Sequence, residues 1–285
     1  MSASRFVVAN GLQHHLRVWG EGEPVLLLHG YLDLAASFER VGLGLAAAGW
    51  QVLALDFRGH GETDRAPEGS YYHFPDYLAD VVGVLDALGV PAVRVVAHSM
   101  GGSVATMLAG AFPERVTALA LLEGIGPPAM PAEVAPDRTR AWIEGVPKVR
   151  ARGPRVHPTM DEVRRRLQAS HPTVPEACLL GVAERSVRAV DGGYVFLFDP
   201  LHQTLSPNRF DAEGFEAYAP RITCPVLLVD GGEAARYPDY VPRAKRYATA
   251  RSVELPGAGH MMHWTRPEAL IAALVAFLRG EGASP

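Results

Sequence analysis

The sequence is poor in cysteine and in long apolar runs, and each shortage excludes a class of protein. Only two of its 285 residues are cysteines, Cys178 and Cys224. Two cysteines without metal-ligand spacing provide neither a disulfide framework nor a thiolate metal site, so we interpret both as small buried side chains. No uncharged apolar stretch reaches the roughly 20 residues that a membrane-spanning helix requires.

Clustered charge is also scarce. The net charge is −4, and the short run of arginines at 164–166 lies beside Asp161 and Glu162 in a helical pattern. Such a run is typical of a solvated helix face, so we expect no nucleic-acid or membrane partner. The opening segment MSASRFVVANGLQHH has no apolar core of signal-peptide length. We therefore expect a cytoplasmic protein that is a monomer or a homodimer.

Short apolar runs separated by helical patterns are abundant. Asn10-Gly11 predicts a hairpin turn between two short strands. Six apolar runs of the buried-strand type follow, at 25–29, 51–55, 93–97, 117–122, 225–229 and 252–255. Helical patterns lie between most of them, at 37–48, 77–88, 100–112 and 267–279. This alternation predicts an α/β fold with a mostly parallel eight-stranded sheet and helices on both faces.

The alternation stops between about residues 125 and 219, in a stretch rich in proline and charge. Capping boxes that begin at Thr159 and Thr173 predict two helices there, and 194–198 is a weak strand pattern. We interpret this stretch as a mainly helical insertion after the sixth strand. The predicted organisation is a core formed by 1–125 and 219–285, with the insertion at 126–218.

The stretch VVAHSMGGSVA, residues 95–105, turns from a buried strand into a helix with a serine at the corner. A tight turn of this kind projects the serine Oγ free of the sheet, and it requires small residues two positions away on either side. Ala97 and Gly101 occupy those positions. We expect Ser99 to act as a nucleophile, with the positive end of the following helix directed at developing negative charge.

Polar groups follow the other predicted strands at the same edge of the sheet. In open α/β sheets, ligand-binding groups gather at the carboxyl ends of the strands. Those ends carry His29-Gly30-Tyr31, the segment 56–61, His98-Ser99, Glu123, Asp230-Gly-Gly-Glu233 and the segment 256–260. A serine, candidate acids and a histidine thus meet at one edge, which is the inventory of nucleophilic acyl transfer.

Motifs along nearly the whole chain resemble the α/β-hydrolase family. They are HG at 29–30, DFRGHG at 56–61, AHSMGG at 97–102, PERV at 113–116 and GAGHMMHW at 257–264. Within the family, LLEGIGPP at 121–128 is similar to the serine hydrolase-like branch, which has no settled substrate. The resemblance implies that the insertion is a cap over the active site. Ala97 departs from the family pattern, in which the elbow begins with glycine.

The resemblance also implies an oxyanion hole formed by the backbone N–H groups of Tyr31 and Met100. Among the histidines, His260 follows the final strand in a glycine-flanked loop, which suits a general base that must reach Ser99. We expect His263, near the start of the last helix, to be structural. We expect His98 and His29 to make local hydrogen bonds.

A serine nucleophile and a histidine base require a third residue, an acid that orients the histidine, and this sequence offers more than one candidate for the acid of such a triad. Most relatives carry it after the seventh strand, but alanines fill 234 and 235 in this chain. Glu123 instead follows five apolar residues at the end of the sixth strand, where a buried carboxylate requires a partner. This resembles the haloalkane dehalogenases whose acid follows the sixth strand, although those enzymes use an aspartate nucleophile. We favour Glu123 and keep Glu233 and Asp230 as alternatives.

The sequence therefore predicts a serine hydrolase that cleaves small to medium apolar esters through an acyl-enzyme, without a metal or an organic cofactor. Carbon–carbon bond hydrolysis, lactone opening and perhydrolysis would use the same triad. A non-catalytic protein that binds small molecules on this scaffold is a further alternative. Six side chains, mostly in the insertion, are candidates for an apolar substrate pocket: Met130, Trp142, Tyr194, Phe196, Phe198 and Met261.

Overall fold

A computed structural model of the protein describes residues 2–232 and 238–281. Its strands are β1 (Ala3–Ala9), β2 (Leu12–Trp19), β3 (Glu23–Leu28), β4 (Trp50–Leu55), β5 (Val93–His98), β6 (Val116–Leu122), β7 (Val187–Val190), β8 (Gly193–Phe196), β9 (Val226–Asp230) and β10 (Ala250–Glu254). Its α-helices are α1 (Glu39–Ala47), α2 (Phe74–Ala87), α3 (Met100–Ala111), α4 (Ala135–Arg152), α5 (Met160–Ser170), α6 (Glu176–Arg185), α7 (Ala212–Glu216), α8 (Tyr240–Ala244), α9 (Met262–Thr265) and α10 (Pro267–Leu278). None of the described helices is both long enough and apolar enough to cross a membrane.

The chain enters the fold through the predicted hairpin. β1 pairs with β2 in antiparallel register, with Ala9 opposite Leu12. The two residues between them, Asn10 and Gly11, have φ angles of 51° and 75°. Positive φ at both central residues is the conformation that a two-residue hairpin loop favours, and asparagine and glycine adopt it most readily. The Asn10-Gly11 pair therefore predicts the hairpin turn because these two residues adopt positive φ angles readily.

The main sheet has eight strands in the order β1-β2-β4-β3-β5-β6-β9-β10. β2 pairs with β4 in antiparallel fashion, and every later pairing in this sheet is parallel. The predicted fold class is therefore confirmed. Because β5, β6 and β9 are neighbours, the residues that follow their carboxyl ends meet at one edge of the sheet.

Two hydrophobic cores cover the two faces of this sheet. Leu26 and Leu28 on β3 pack into the core that contains α2 and α3. Val25 and Leu27 on the same strand pack into the core that contains α1 and α10. Both faces of each central strand are buried, which explains why these strands are continuous apolar runs in the sequence rather than alternating ones.

The segment between β6 and β9 contains α4 to α7 and the β7–β8 hairpin. One predicted helix start is confirmed: Thr159 accepts a hydrogen bond from the backbone N–H of Glu162, at the start of α5. The other is wrong. α6 begins at Glu176 with Pro175 as its N-cap, because proline restricts the preceding residue to extended conformations and separates Thr173 from the first turn. The boundaries 126–218 remain a prediction.

Buried histidines lie beneath the carboxyl edge of the sheet. The rings of His60 and His202 stack with their centroids 4.1 Å apart, and the His29 ring lies 5.0 Å from that of His60. Burial lowers the pKa of His202 to about 4, although the Asp199 carboxylate opposes this change. Burial, reinforced by the positive charge that His202 can carry, holds the pKa of His60 well below its usual value. Both rings are therefore neutral in the folded protein at pH 7.

We predict that acid destabilises the fold through these rings. A histidine in an unfolded chain titrates near 6.5, so between about pH 6.5 and 4 the unfolded state binds more protons than the folded state. The free energy of unfolding should be fully retained above pH 6.5 and should fall with pH below it. Each neutral histidine contributes a slope of up to about 1.4 kcal/mol per pH unit. Denaturant titrations at pH 7, 6 and 5 measure this slope, and His202→Gln should make it shallower. An unchanged slope in that variant would contradict the assignment.

Candidate active site

Ser99 occupies a strained turn between β5 and α3. Its φ and ψ angles are 50° and −116°, a conformation that residues other than glycine seldom adopt. The surrounding backbone leaves no room for larger neighbours. A Cβ on Gly101 would lie 2.5 Å from the carbonyl oxygen of Leu28. Ala97 is fully buried on β5. The small residues at these two positions let the turn pack against β3 and expose the serine.

The end of β6 packs directly against this turn. A Cβ on Gly102 would lie 2.4 Å from the carbonyl oxygen of Gly124, so the two backbones are in contact. The backbone N–H of Ser99 donates to the carbonyl of Leu122, at 3.0 Å. These contacts place Glu123, which follows Leu122, beside the serine turn.

A continuous chain of hydrogen bonds joins Ser99, His260 and Glu123. The Nε2 atom of His260 lies 3.0 Å from the Ser99 Oγ. The Nδ1 atom of the same ring lies 3.0 Å from Glu123 Oε2. With Nδ1 protonated and donating to the carboxylate, Nε2 is free to accept the serine proton, which is the arrangement that general-base catalysis requires.

Glu123 holds its carboxylate at this position through two further contacts. Its own φ angle is 43°, and its backbone N–H donates to the carbonyl of Val229 on β9, at 3.0 Å. Its Oε1 atom accepts from the backbone N–H of Gly231, at 2.7 Å. Only 5% of the side chain is exposed. Each carboxylate oxygen thus has a hydrogen-bond donor, which compensates for the burial of the charge.

The two alternative acids have other placements. Asp230 is buried, and its Oδ1 atom accepts from the backbone N–H of Gly232, at 2.8 Å. Glu233 lies outside the described residues. Among the described carboxylates, the one that the structure pairs with the His260 ring is that of Glu123.

The other histidines near the site have structural contacts. His98 donates from Nε2 to the backbone carbonyl of His260, at 2.9 Å, and so anchors the loop that carries the candidate base. The His29 Nε2 atom accepts from the backbone N–H of Phe57, at 3.0 Å. His263 is buried, with its Nε2 atom 3.3 Å from Asp33 Oδ2. Sequence reasoning expected local hydrogen bonds for His98 but did not foresee that it would support His260.

One group of metal-ligating side chains occurs among the described residues. Atoms of Asp33, His98 and His263 lie within 4.8 Å of one another, and all three residues are buried. The Asp33 carboxylate already accepts from the Ser37 hydroxyl at 2.8 Å, and His98 already donates to His260. We therefore describe this group as a hydrogen-bond network behind the site.

Two backbone N–H groups are available beside Ser99. Met100 is the first residue of α3, where a helix leaves its N–H groups without intrahelical partners. In the part of the chain that the structure describes, neither its N–H nor that of Tyr31 donates to a protein acceptor. Both residues line the cavity that contains Ser99. The Tyr31 hydroxyl donates to the carbonyl of His202, which fixes the partly exposed ring on the wall of the cavity.

Ser99 lies where two lobes of a cavity meet. The first lobe has a volume of about 340 Å³ and is mainly apolar, with Phe74, Pro127, Pro128 and Tyr240 in its wall. The second lobe has a volume of about 330 Å³ and includes Met261, Trp264 and Val174. Tyr31, Ser99 and His260 line both lobes. A two-part acyl compound can therefore place one half on each side of the serine.

Of the six predicted pocket residues, Met261 lies in the second lobe. Trp142 packs edge-on against Tyr71, and Tyr194 packs on a small core between α5 and β7. Phe196 and Phe198 line a separate cavity, and the Met130 sulfur accepts from Arg138. The structure thus places five of the six away from the lobes at Ser99. The wall residues that the sequence analysis missed are Phe74 and Tyr240, the first residues of α2 and α8, and the Pro127-Pro128 pair soon after β6.

Comparison with known proteins gives consistent results. Residues 23–267 match the family described as alpha/beta hydrolase fold. The chain is 30% identical to a serine hydrolase-like protein of Danio rerio over 92% of this chain and 84% of that protein. The crystal structure of a hypothetical protein from Pseudomonas aeruginosa PAO1 superposes with a TM-score of 0.87 at 29% identity, covering 97% and 99% of the two chains. A thioesterase domain from the curacin biosynthetic pathway superposes with a TM-score of 0.81 at 26% identity, covering 96% and 99%.

We predict that Glu123→Gln slows the reaction of Ser99 with a serine-directed phosphonate by roughly 10²–10⁴-fold. The amide keeps the shape of the side chain, but it favours the wrong His260 tautomer and cannot stabilise imidazolium. Labelling rates followed by intact-protein mass spectrometry provide the measurement.

Two matched amide variants serve as controls. Asp230→Asn removes the carboxylate at the end of β9 and Glu233→Gln removes the one that comes after it in the sequence, and both variants should label at close to the wild-type rate. A large loss in either control, combined with a nearly unchanged Glu123→Gln, would assign the acid to the other strand.

Proposed function

The chain belongs to the α/β-hydrolase family, and from that premise we propose that it is a serine hydrolase that cleaves small to medium apolar esters through an acyl-enzyme on Ser99. One observation carries the proposal. The hydrogen-bonded chain from Ser99 through His260 to Glu123 is complete, and it ends at the junction of two lobes. Nucleophile, base and orienting acid are then all within direct reach.

In the first step, His260 accepts the proton of Ser99 at Nε2 while Oγ attacks the ester carbonyl carbon. The N–H groups of Tyr31 and Met100 hold the resulting oxyanion, assisted by the positive end of α3. His260 then returns the proton to the departing alcohol, which leaves Ser99 acylated. In the second step, water attacks the acyl carbon and gives a proton to His260, and the ring passes that proton to the Ser99 Oγ as the acid is released.

Glu123 acts through His260 in this scheme. Its carboxylate accepts from Nδ1, which keeps the lone pair of Nε2 directed at Ser99 and stabilises the ring when it becomes charged. The Glu123 side chain is 5% exposed and the His260 side chain 48%, so the carboxylate end of this interaction is shielded from water while the ring stays accessible. The Gly231 N–H contact prevents the carboxylate from rotating away.

The lining of the first lobe supports an apolar substrate half. Apart from the candidate catalytic groups, its wall is formed by rings, prolines, Met100 and Ser103. Binding in such a lobe is driven mainly by the burial of apolar surface, which contributes about 25 cal/mol per Å². Apart from Glu123 and His260, which are already paired with each other, the wall of this lobe carries no acidic or basic side chain that would bind a charged substrate half.

A second candidate is the hydrolysis of thioesters by the same atoms. The likeness to a thioesterase domain extends over nearly the whole of both chains. The mechanism requires only that the leaving group be a thiol, which departs more readily than an alcohol. A panel that pairs an oxygen ester with the thioester of the same acid distinguishes the two candidates by kcat/KM.

We predict that Ser99→Ala abolishes phosphonate labelling and nearly all turnover of an ester panel while the fold is retained. The reason is that the turn accepts alanine sterically and the variant lacks only the hydroxyl. Circular dichroism and thermal melting are the controls for folding. A folded wild-type protein that the phosphonate never labels, and that turns over no ester, would favour a binding protein on this scaffold instead.

We also predict that two histidine variants separate the base from the structural ring. His260→Gln should remove most of the turnover and flatten its rise with pH, because the proton acceptor of Ser99 is lost. His263→Gln should lower thermal stability, since that ring is buried beside Asp33, and should keep the pH profile. The opposite pattern in pH–rate profiles would identify His263 as the base.

A further inference from the structure

A second cavity, of about 190 Å³, lies in the segment between β6 and β9. Arg152 at the end of α4, Arg155 and His157 before α5, and Arg166 on α5 line it. Phe196 and Phe198 form another part of its wall. It shares none of its lining residues with the two lobes at Ser99. It is therefore a separate site whose wall is basic and aromatic.

The three arginines of this cavity lack acidic partners among the described residues. None of their guanidinium groups lies within 4.0 Å of a described carboxylate, and no acidic residue lines the cavity. Their neighbours on α5 differ: Arg164 pairs with Asp161 at 2.8 Å, and Arg165 pairs with Glu162 at 3.9 Å. All three arginines are solvent-exposed, so the cavity presents accessible positive charge without a carboxylate partner among the described residues.

The rest of the wall is aromatic and polar and carries no acidic side chain. The rings of Phe196 and Phe198 are stacked with their centroids 5.4 Å apart at 19°, and they form a flat apolar part of the wall beside the arginines. His157 is 5% exposed and packs edge-on against Phe196. Burial, and then the Arg155 guanidinium, lower the pKa of His157, so the positive charge of the cavity is that of its arginines.

We propose that this cavity binds a phosphate group. Each guanidinium presents N–H donors in a planar fork that matches phosphate oxygens, and three of them exceed what a single carboxylate can neutralise. A dianion would relieve the mutual repulsion of arginines from different parts of the segment. The site does not depend on the proposed hydrolase activity, because none of its residues takes part in that chemistry.

The cavity also has a structural connection to the candidate active site. Gln203 lines it, at the end of the 3₁₀ turn Pro200–Gln203. The adjacent residue, His202, accepts the hydrogen bond of the Tyr31 hydroxyl through its carbonyl oxygen. A bound phosphate would therefore restrain the same turn that holds the Tyr31 ring in the wall of the first lobe.

The test is calorimetric titration of the full-length protein with inorganic phosphate, at an ionic strength held constant with chloride. We expect saturable binding that Arg155→Ala and Arg166→Ala each weaken at least tenfold. Arg165→Ala is the matched control, since it removes the same charge from the same helix but does not line the cavity. It should bind phosphate within about twofold of the wild type.

A kinetic experiment identifies the source of the bound phosphate group. It uses two esters of the same acid whose alcohol halves differ only by a terminal phosphate. If the substrate supplies it, the phosphorylated ester has a KM at least tenfold lower than its partner, and Arg166→Ala removes the difference. If a free anion supplies it, the two esters have equal KM values while the calorimetric binding remains. Either outcome supports the site.

Two results would overturn the proposal. One is the absence of saturable phosphate binding by the folded wild type. The other is an equal loss of affinity in Arg165→Ala and Arg166→Ala, which would show an effect of net charge alone. If neither ester is hydrolysed but phosphate still binds, the result counts against the proposed hydrolase function and not against the phosphate site.

Discussion

The buried carboxylate of Glu123 is the contact on which the geometry of the site depends. Glu123 follows β6, and its carboxylate accepts hydrogen bonds from the backbone N–H of Gly231 after β9 and from the His260 ring after β10. Three segments that are distant in sequence therefore meet at one side chain. The approach is possible because Gly231 has no side chain: a Cβ there would lie 2.2 Å from the carbonyl oxygen of Gly259. Removing the charge would free the His260 ring, whereas the loop would keep its hydrogen bonds to His98 and Gly231.

Backbone strain accompanies this contact at two adjacent strand ends. Ser99 after β5 and Glu123 after β6 both have positive φ, which costs on the order of 1–3 kcal/mol at a residue with a Cβ. The sheet imposes it, because Ser99 and Glu123 each donate a backbone hydrogen bond to the neighbouring strand. The contact between Gly102 and Gly124 then fixes the separation of the two turns. Rigid strands thus hold the nucleophile and the acid in positions that loops alone would not maintain.

The elements that could be predicted from the sequence are those with a local cause, such as a turn, and the strands that are buried on both faces of the sheet. The elements and cavity walls that depend on packing between distant segments could not be predicted. The hairpin at Asn10 and the central strands have short-range causes. The 18-residue helix α4 was missed although Trp142, Val146 and Val149 recur at helical spacing and pack on the core, because Pro147 inside the pattern argues against a helix. The walls of the first lobe were missed for a related reason. Phe74 and Tyr240 are 166 positions apart, and only the folded chain brings them together.

His202 links the stability of the fold to the mouth of the site. Its ring stacks on His60 in the buried cluster, and its carbonyl accepts from Tyr31. The His202 ring packs mainly against aromatic rings, so its protonation places a charge in a poorly solvating environment. Because His202 belongs to the Pro200–Gln203 turn, that charge would destabilise the turn. That turn also forms part of the arginine-lined cavity. Acid and a bound phosphate would therefore act on one element in opposite directions, acid by loosening the turn and phosphate by restraining it, and Tyr31 is the residue at which both effects reach Ser99.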